Sequence, residues 1–336
     1  MANWKNLDTL KAYDELLELW NEVEVKEVMA GESGAKRVAE YNVPIGAGLT
    51  FNYAARPVDD KVLKTLQDLA DEAELAEKFK ELYNGAVINT GEKRLVLHQL
   101  CRGQLGDDVI ADGVNKRDFY AKQQARIAEF VKKVHAGEIV NEAGEKFTTA
   151  CQIGIGGSDL GPRAIYIALE NWAKVNGCLK MDAKFISNVD PDDASAVLSQ
   201  VDVAKTIFVL VSKSGTTLET LTNEAFVKNA LKEAGLDASR HMIAVTSETS
   251  PLAGNPDYLD SFYMDDYIGG RYSSSSAVGG AILSLAFGPE IFDRFLQGAA
   301  EADAAAKETD ITKNAAMLDA LIGVYERNVL GCDTTA

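Results

Sequence analysis

Residues 116–290 predict an α/β fold, a doubly wound parallel sheet of five strands with flanking helices. Five short apolar runs rich in β-branched residues follow one another there, as expected of buried strands. A helical pattern, or a turn long enough for a crossover, separates each run from the next, and such alternation is typical of parallel strands. The runs are TTACQIGI, AKFISNV, KTIFVLVS, HMIAVTS and SFYMDD.

Helical patterns dominate on either side of this region. An acidic pattern covers about Leu7 to Val28, and apolar residues recur at helical spacing from Asp60 to Leu82. A further helix is predicted over Lys116 to Val134. For the segment from Gly31 to Pro57, which includes LTFNYAA, an edge strand and a loop both remain open.

Three helix starts after the strands are predicted, and they matter because ligands in open α/β sheets gather where a strand ends and the next helix begins. The segment Ser158–Pro162 opens the first helix, and Asp190-Pro191 opens the second. Thr216 with Glu219 is interpreted as a capping box that starts the third.

The charge balance excludes several classes of partner. Lys and Arg total 34 and Asp and Glu total 51, a formal net charge of −17 that repels nucleic acid and anionic membrane surfaces. No apolar run approaches the roughly 18–20 residues of a membrane span, and the opening residues lack a signal-peptide layout, so we expect a cytoplasmic protein. Four scattered cysteines and three distant histidines predict neither a disulfide framework nor a metal site.

The motif GIGGSDLGP, residues 154–162, lies where the first strand turns into a helix. Its glycines let the backbone approach a ligand closely, and unpaired N–H groups at the helix start favour an anion near Gly157 and Ser158. A dinucleotide fingerprint would need glycine at Asp159, and a P-loop would need Lys and Ser or Thr at Pro162 and Arg163. A turn used only for tight packing is the alternative.

The motif SKSGTTLET follows the third strand and precedes another helix. It offers several hydroxyls, one ammonium group and the backbone amides around a glycine, more than one helix cap requires, although capping alone is the alternative reading. Hydrogen bonds to a charged group are worth about 1.5–3 kcal/mol each, so a few of them suffice to hold a phosphate. The predicted phosphate ligands are Ser212, Lys213, Ser214, Gly215, Thr216, Thr217 and Thr220.

The motif GGRYS contains Arg271 after a glycine pair. A lone arginine is usually a surface residue, but a guanidinium close to the first two loops would stabilise negative charge that develops on a substrate oxygen. His98 lies among apolar residues and is interpreted as a structural histidine.

Together, GIGGSDLGP, SKSGTTLET and GGRYS, in this order and spacing, resemble the phosphoglucose isomerase family, whose members contain two flavodoxin-like sugar-isomerase (SIS) domains. NTGEKRLVLHQLCRG and MLDALIGVYERNVLGC extend the resemblance over nearly the whole chain. The resemblance implies an aldose-ketose isomerase of glycolysis and gluconeogenesis that interconverts glucose 6-phosphate and fructose 6-phosphate through a cis-enediol. It also implies that no metal or cofactor is required and that the full-length protein is a homodimer.

By motif position, the resemblance implies that Gly157 and Ser158 contact the substrate, that Ser212 to Thr217 with Thr220 hold its phosphate, and that Arg271 stabilises the enediolate. It further implies three parts: residues 1–115, an N-terminal helical segment that packs on the core; residues 116–290, the first SIS domain; and residues 291–336, a helical connection to a second SIS domain outside the sequence.

Two departures from the family pattern matter. Many members have SKTFTTQET, so Gly215 replaces an aromatic residue. The family's glutamate base, ring-opening histidine and a later lysine lie in motifs beyond Ala336, so we expect the 336-residue chain alone to bind sugar phosphate without isomerising it. A non-catalytic sugar-phosphate-binding SIS module and an NAD-dependent dehydrogenase are the competing hypotheses, the latter disfavoured by Asp159.

Overall fold

The computed structural model describes residues 4–20, 23–103 and 105–334, which form two compact units. The first unit comprises the described residues of segments 1–95, 103–107 and 297–336, and the second comprises segments 96–102 and 108–296. The strands, numbered in chain order, are β1 (Asn42–Gly46), β2 (Leu49–Asn52), β3 (Ile110–Ala111), β4 (Val114–Asn115), β5 (Thr149–Ile153), β6 (Asp182–Ile186), β7 (Thr206–Val211), β8 (Met242–Ser247) and β9 (Asp260–Met264).

The helices in the same order are α1 (Lys11–Leu17), α2 (Val25–Val28), α3 (Gly31–Glu40), α4 (Asp60–Glu72), α5 (Leu75–Tyr83), α6 (Lys116–Ala136), α7 (Leu160–Val175), α8 (Pro191–Leu198), α9 (Leu218–Glu233), α10 (Ala277–Phe287), α11 (Pro289–Ala305) and α12 (Ala315–Asn328). Short 3-10 turns include His98–Cys101, Gly156–Ser158 and Gly270–Ser275. None of the helices formed by the described residues is long and apolar enough to cross a membrane.

The second unit is built on a five-stranded parallel sheet with the order β6-β5-β7-β8-β9. The predicted α/β fold is confirmed, and each of the five apolar runs matches one of these strands, two of which begin one residue before the run. Relative to the first strand of the sheet the order is 2-1-3-4-5, the flavodoxin-like order, in which the crossovers diverge between the first and third strands. That switch point lies between β5 and β7.

Both faces of the sheet are covered, which explains why its central strands are continuously apolar. Along β7 and β8, alternate residues enter two separate cores. Ile207 and Val209 face a core shared with α6, α7 and α10, whereas Phe208 and Leu210 face a core shared with α9. Helix α10 is enclosed throughout, since all of its residues are buried.

A buried polar contact closes the amino end of the sheet. Both ring nitrogens of His241 face acceptors, with Nδ1 3.1 Å from the Thr206 carbonyl oxygen and Nε2 2.8 Å from the Glu142 carboxylate. Burial alone would raise the pKa of Glu142, but hydrogen bonds from the Asp237 amide and from His241 lower that pKa to about 2.

The first unit packs α1, α4 and α12 around an apolar core with the β1–β2 hairpin. Within the segment from Gly31 to Pro57, LTFNYAA contains the strand β2, whereas residues Gly31–Glu40 form α3, a helix that neither alternative included. The helical pattern from Asp60 to Leu82 is two helices rather than one, because Glu74 adopts a left-handed φ of 57° between α4 and α5. The pattern from Leu7 to Val28 contains α1 and α2, and residues 21–22 lie outside the described residues.

The predicted helix starts have mixed outcomes. Asp190 caps α8 as predicted, since its carboxylate accepts a hydrogen bond of 2.9 Å from the Asp192 amide. The capping box of Thr216 with Glu219 is wrong, because α9 begins at Leu218 and Thr217 occupies the N-cap position without a side-chain cap bond. The Thr216 hydroxyl instead donates to Ser214 Oγ over 3.0 Å.

Candidate functional site

Strands β5 and β7 end side by side at the switch point, since Ile153 is paired with Leu210. Two of the predicted motifs leave the sheet here. We call residues 154–159 the glycine loop and residues 212–217 the hydroxyl loop. The third motif follows β9, and we call residues 269–273 the arginine turn.

The glycine loop contacts the arginine turn through the backbone. A Cβ on Gly157 would collide with the carbonyl group of Gly270 and lie 2.7 Å from the Arg271 nitrogen, so only glycine fits. Ser273 Oγ donates a hydrogen bond of 3.3 Å to the Gly157 carbonyl oxygen. The fold therefore brings Gly157 and Ser158 beside the backbone of Arg271.

A buried residue that sequence reasoning missed supports the glycine loop. Gln152 on β5 is 1% exposed, and its Nε2 donates a hydrogen bond of 2.6 Å to the Ser158 carbonyl oxygen. Asp159 is also buried, and it accepts a hydrogen bond of 2.9 Å from Arg163 Nε. Burial raises the pKa of Asp159 although Arg163 opposes that rise.

The hydroxyl loop is organised around the buried Ser212. Ser212 Oγ accepts a hydrogen bond of 3.2 Å from the Gly215 amide and donates to Thr217 Oγ1 over 3.4 Å. Gly215 has a φ of +66°, and a Cβ there would collide with Ser250 Oγ and lie 3.1 Å from Leu252. An aromatic side chain at position 215 would not fit this arrangement.

The other predicted phosphate ligands differ in exposure. Ser214 and Thr216 are exposed, Thr217 is half-buried, and Thr220 is buried in the first turn of α9. Since Thr217 does not cap the helix through its side chain, the first-turn amides of α9 are not occupied by it. Free amides at the start of a 16-residue helix favour an anion.

Two cations lie at this edge of the sheet. Lys213 Nζ is 3.4 Å from the Ile268 carbonyl oxygen and 3.8 Å from Asp266 Oδ1, so it reaches the segment before the arginine turn. Arg271 is exposed. Within residues 4–20, 23–103 and 105–334, its guanidinium forms neither a hydrogen bond nor an ion pair.

His98 is a buried structural histidine, as predicted, and its partner is the arginine turn, which the sequence did not indicate. Its Nε2 is 2.9 Å from the Gly269 carbonyl oxygen and donates to it, and its ring meets Tyr272 edge to face. Burial lowers the pKa of His98, with Arg102 and Lys213 nearby adding to that effect. The contact requires a proton on Nε2, and the lowered pKa of His98 favours the neutral imidazole that carries its proton there.

Comparisons with known proteins agree with the predicted resemblance. The family model of phosphoglucose isomerase matches residues 52–336. The chain belongs to the phosphoglucose isomerase family. It is 56% identical to the glucose-6-phosphate isomerase of Treponema denticola over 99% of the chain, and 43% identical to that of Borreliella burgdorferi over 98%. It spans 63% and 62% of the lengths of these two relatives.

Solved structures place the fold in the same phosphoglucose isomerase family. A crystal structure of a glucose-6-phosphate isomerase from Chlamydia trachomatis matches with a TM-score of 0.86 and 36% identity, covering 97% of this chain and 62% of that one. A hypothetical protein from Thermus thermophilus, at 23% identity and a TM-score of 0.55, shares the fold. The family resemblance drawn from the three motifs is confirmed.

Proposed function

We propose that this chain forms the sugar-phosphate-binding part of a glucose-6-phosphate isomerase, which interconverts glucose 6-phosphate and fructose 6-phosphate. The observation that carries the proposal is the backbone contact between Gly157 and the Gly270–Arg271 peptide at the switch point of the sheet. Relatives with this name match 99% of the chain and support the same activity.

The hydroxyl loop is the proposed phosphate site. Ser214 and Thr216 present exposed hydroxyls, Thr217 adds a partly exposed one, and the amides at the start of α9 supply further donors. Lys213 adds a positive charge. Ser212, Gly215 and Thr220 are buried and support the loop. Three or four bonds of about 1.5–3 kcal/mol each give an affinity suited to a metabolite that must also leave.

The proposed chemistry moves one proton between C2 and C1 of the open-chain sugar. Ring opening transfers a proton from the anomeric hydroxyl to the ring oxygen, and a base then removes the C2 proton. The proton on the C2 hydroxyl passes to the C1 oxygen, and return of the first proton to C1 completes the conversion of aldose to ketose. The cis-enediolate between these steps carries negative charge, which the guanidinium of Arg271, free of partners among the described residues, would stabilise. Gly157 lies against the backbone of Arg271 and, with Ser158, would contact the sugar.

No residue of this sequence is assigned the role of the base. We therefore propose that the polypeptide of residues 1–336, assayed by itself, binds sugar phosphate and does not isomerise it. The family's homodimeric state, the cytoplasmic location and the division at residues 115 and 290 are retained as proposals. A coupled assay that detects isomerisation by this polypeptide at a normal rate would contradict the proposed inactivity.

Calorimetry tests the proposed binding site with 6-phosphogluconate, inorganic phosphate and NAD as ligands. We expect both phosphate ligands to bind and NAD to fail; binding of NAD alone would overturn the proposal. Lys213→Met should weaken phosphate binding about 10-fold or more, because a contact to a charged group is lost. Lys205→Met is the matched control, since this lysine precedes β7 and is 34% exposed against 33% for Lys213.

A further inference from the structure

The placement of Arg271 depends on its backbone. Its guanidinium has no ion pair or hydrogen bond among the described residues, so no neighbouring side chain fixes it. The chain reaches Arg271 from the end of β9 at Met264 through residues 265–270, and Gly270 abuts Gly157. Whatever holds this connecting segment therefore decides where the guanidinium lies.

Asp265, the first residue after β9, has three contacts that hold the segment. Oδ1 accepts hydrogen bonds from Tyr120 Oη at 2.8 Å and from the Tyr267 amide at 3.1 Å. Oδ2 lies 3.2 Å from Lys116 Nζ. The Asp265 side chain is 17% exposed and that of Lys116 is 8% exposed, so water screens this pair only weakly.

Further contacts carry the constraint from Asp265 towards the arginine turn. The Tyr267 carbonyl oxygen accepts a hydrogen bond of 3.0 Å from the Leu97 amide, and Tyr267 Oη donates to Asp112 Oδ2 over 2.9 Å. Gly269 lies two residues after Tyr267, and its carbonyl oxygen accepts a hydrogen bond from His98. Asp265 orients the Tyr267 amide and is therefore the first residue in this series of contacts.

We propose that Asp265 is a positioning residue for Arg271, acting through residues 267–270, an inference that rests on the proposed function. It does not touch the substrate. Its carboxylate fixes the direction in which the chain leaves β9. Two hydrogen-bond donors, Tyr120 Oη and the Tyr267 amide, and the ammonium group of Lys116 hold that carboxylate. Loss of the charge would release residues 267–270. The hydrogen bonds from Ser212 to Thr217 and from Gly215 to Ser212, which organise the hydroxyl loop, do not involve that segment.

The test compares two ligands that share a phosphate but differ at the other end. Asp265→Asn should weaken binding of 6-phosphogluconate about 10-fold. With its phosphate in the hydroxyl loop, the carboxylate end of this ligand would face Arg271, and a displacement of Arg271 by about 1 Å is costly at such sites. Binding of inorganic phosphate should stay within about 2-fold. Tyr120→Phe keeps the carboxylate and removes one donor, so it should weaken 6-phosphogluconate binding about 3-fold, by the loss of one modest hydrogen bond.

Asp260→Asn is the matched control. Asp260 begins the same strand and pairs with Arg126 at 2.9 Å, with both side chains 35% exposed. Its loss removes a more exposed carboxylate ion pair at the far end of β9. We expect no change in the binding of either ligand. Equal weakening of both ligands by Asp265→Asn and Tyr120→Phe, or no change in 6-phosphogluconate binding, would overturn the inference. Failure of the unchanged chain to bind 6-phosphogluconate would instead reject the proposed function.

Discussion

Gly157→Ala is the substitution that tests the contact between the glycine loop and the arginine turn most directly. The added methyl would collide with the Gly270 carbonyl group and lie 2.7 Å from the Arg271 nitrogen. Both obstacles are backbone atoms, so no side-chain rotation relieves the collision. The two loops must separate by about 1.4–1.9 Å for the methyl and the Gly270 carbonyl carbon to reach the ordinary carbon contact of roughly 3.5–4.0 Å.

Such a displacement should weaken 6-phosphogluconate binding about 100-fold and destabilise the fold by about 1–3 kcal/mol. Calorimetry and thermal unfolding measure the two effects separately. Gly156→Ala is the control, because a Cβ there meets nothing within 4 Å and only the φ of +60° opposes it. That variant should lose about 1 kcal/mol of stability and keep its affinity. Unchanged affinity in Gly157→Ala would refute the assignment of this contact to the site.

Two further predictions concern other parts of the second unit. Glu142, whose pKa of about 2 lies below its ordinary 4.5, contributes stability that is present above pH 4.5 and lost as the pH falls towards 2. Glu142→Gln should therefore lower the free energy of unfolding by about 1–2 kcal/mol at pH 7, allowing for screening by solvent, and by less at pH 3. Urea unfolding measures this free energy, and an equal loss at both pH values would contradict the linkage. Gly215→Ala should weaken phosphate binding about 10-fold by calorimetry because it collides with Ser250. Gly235→Ala carries a similar backbone strain, but an added Cβ there meets nothing within 4 Å, so this variant should keep its affinity for phosphate. Equal weakening of phosphate binding in both variants would contradict this prediction.

The sheet was predictable because burial on both faces leaves a continuous apolar signature. Strand β7 reads TIFVLV, in which every residue is buried. The start of α8 was predictable for a similar reason, since Asp190 and Pro191 act through local geometry alone.

The parts that were missed depend on partners distant in the sequence. His98 binds Gly269 across 171 residues, and Tyr120 binds Asp265 across 145, separations that carry no local pattern. The capping box failed because the Thr216 hydroxyl has a closer partner in Ser214, which competes with the helix amides. The motifs located the site, but the residues that hold its loops in place required the fold.

The complete burial of helix α10 affects how the second unit unfolds. Its sequence AVGGAILSLAF has no polar face, and none of its eleven residues is exposed. A helix of this kind has no stable position in water by itself, so it forms only as the sheet and α6 close around it. Its amides should be among the slowest to exchange with solvent hydrogen, because they are released only when the whole unit unfolds.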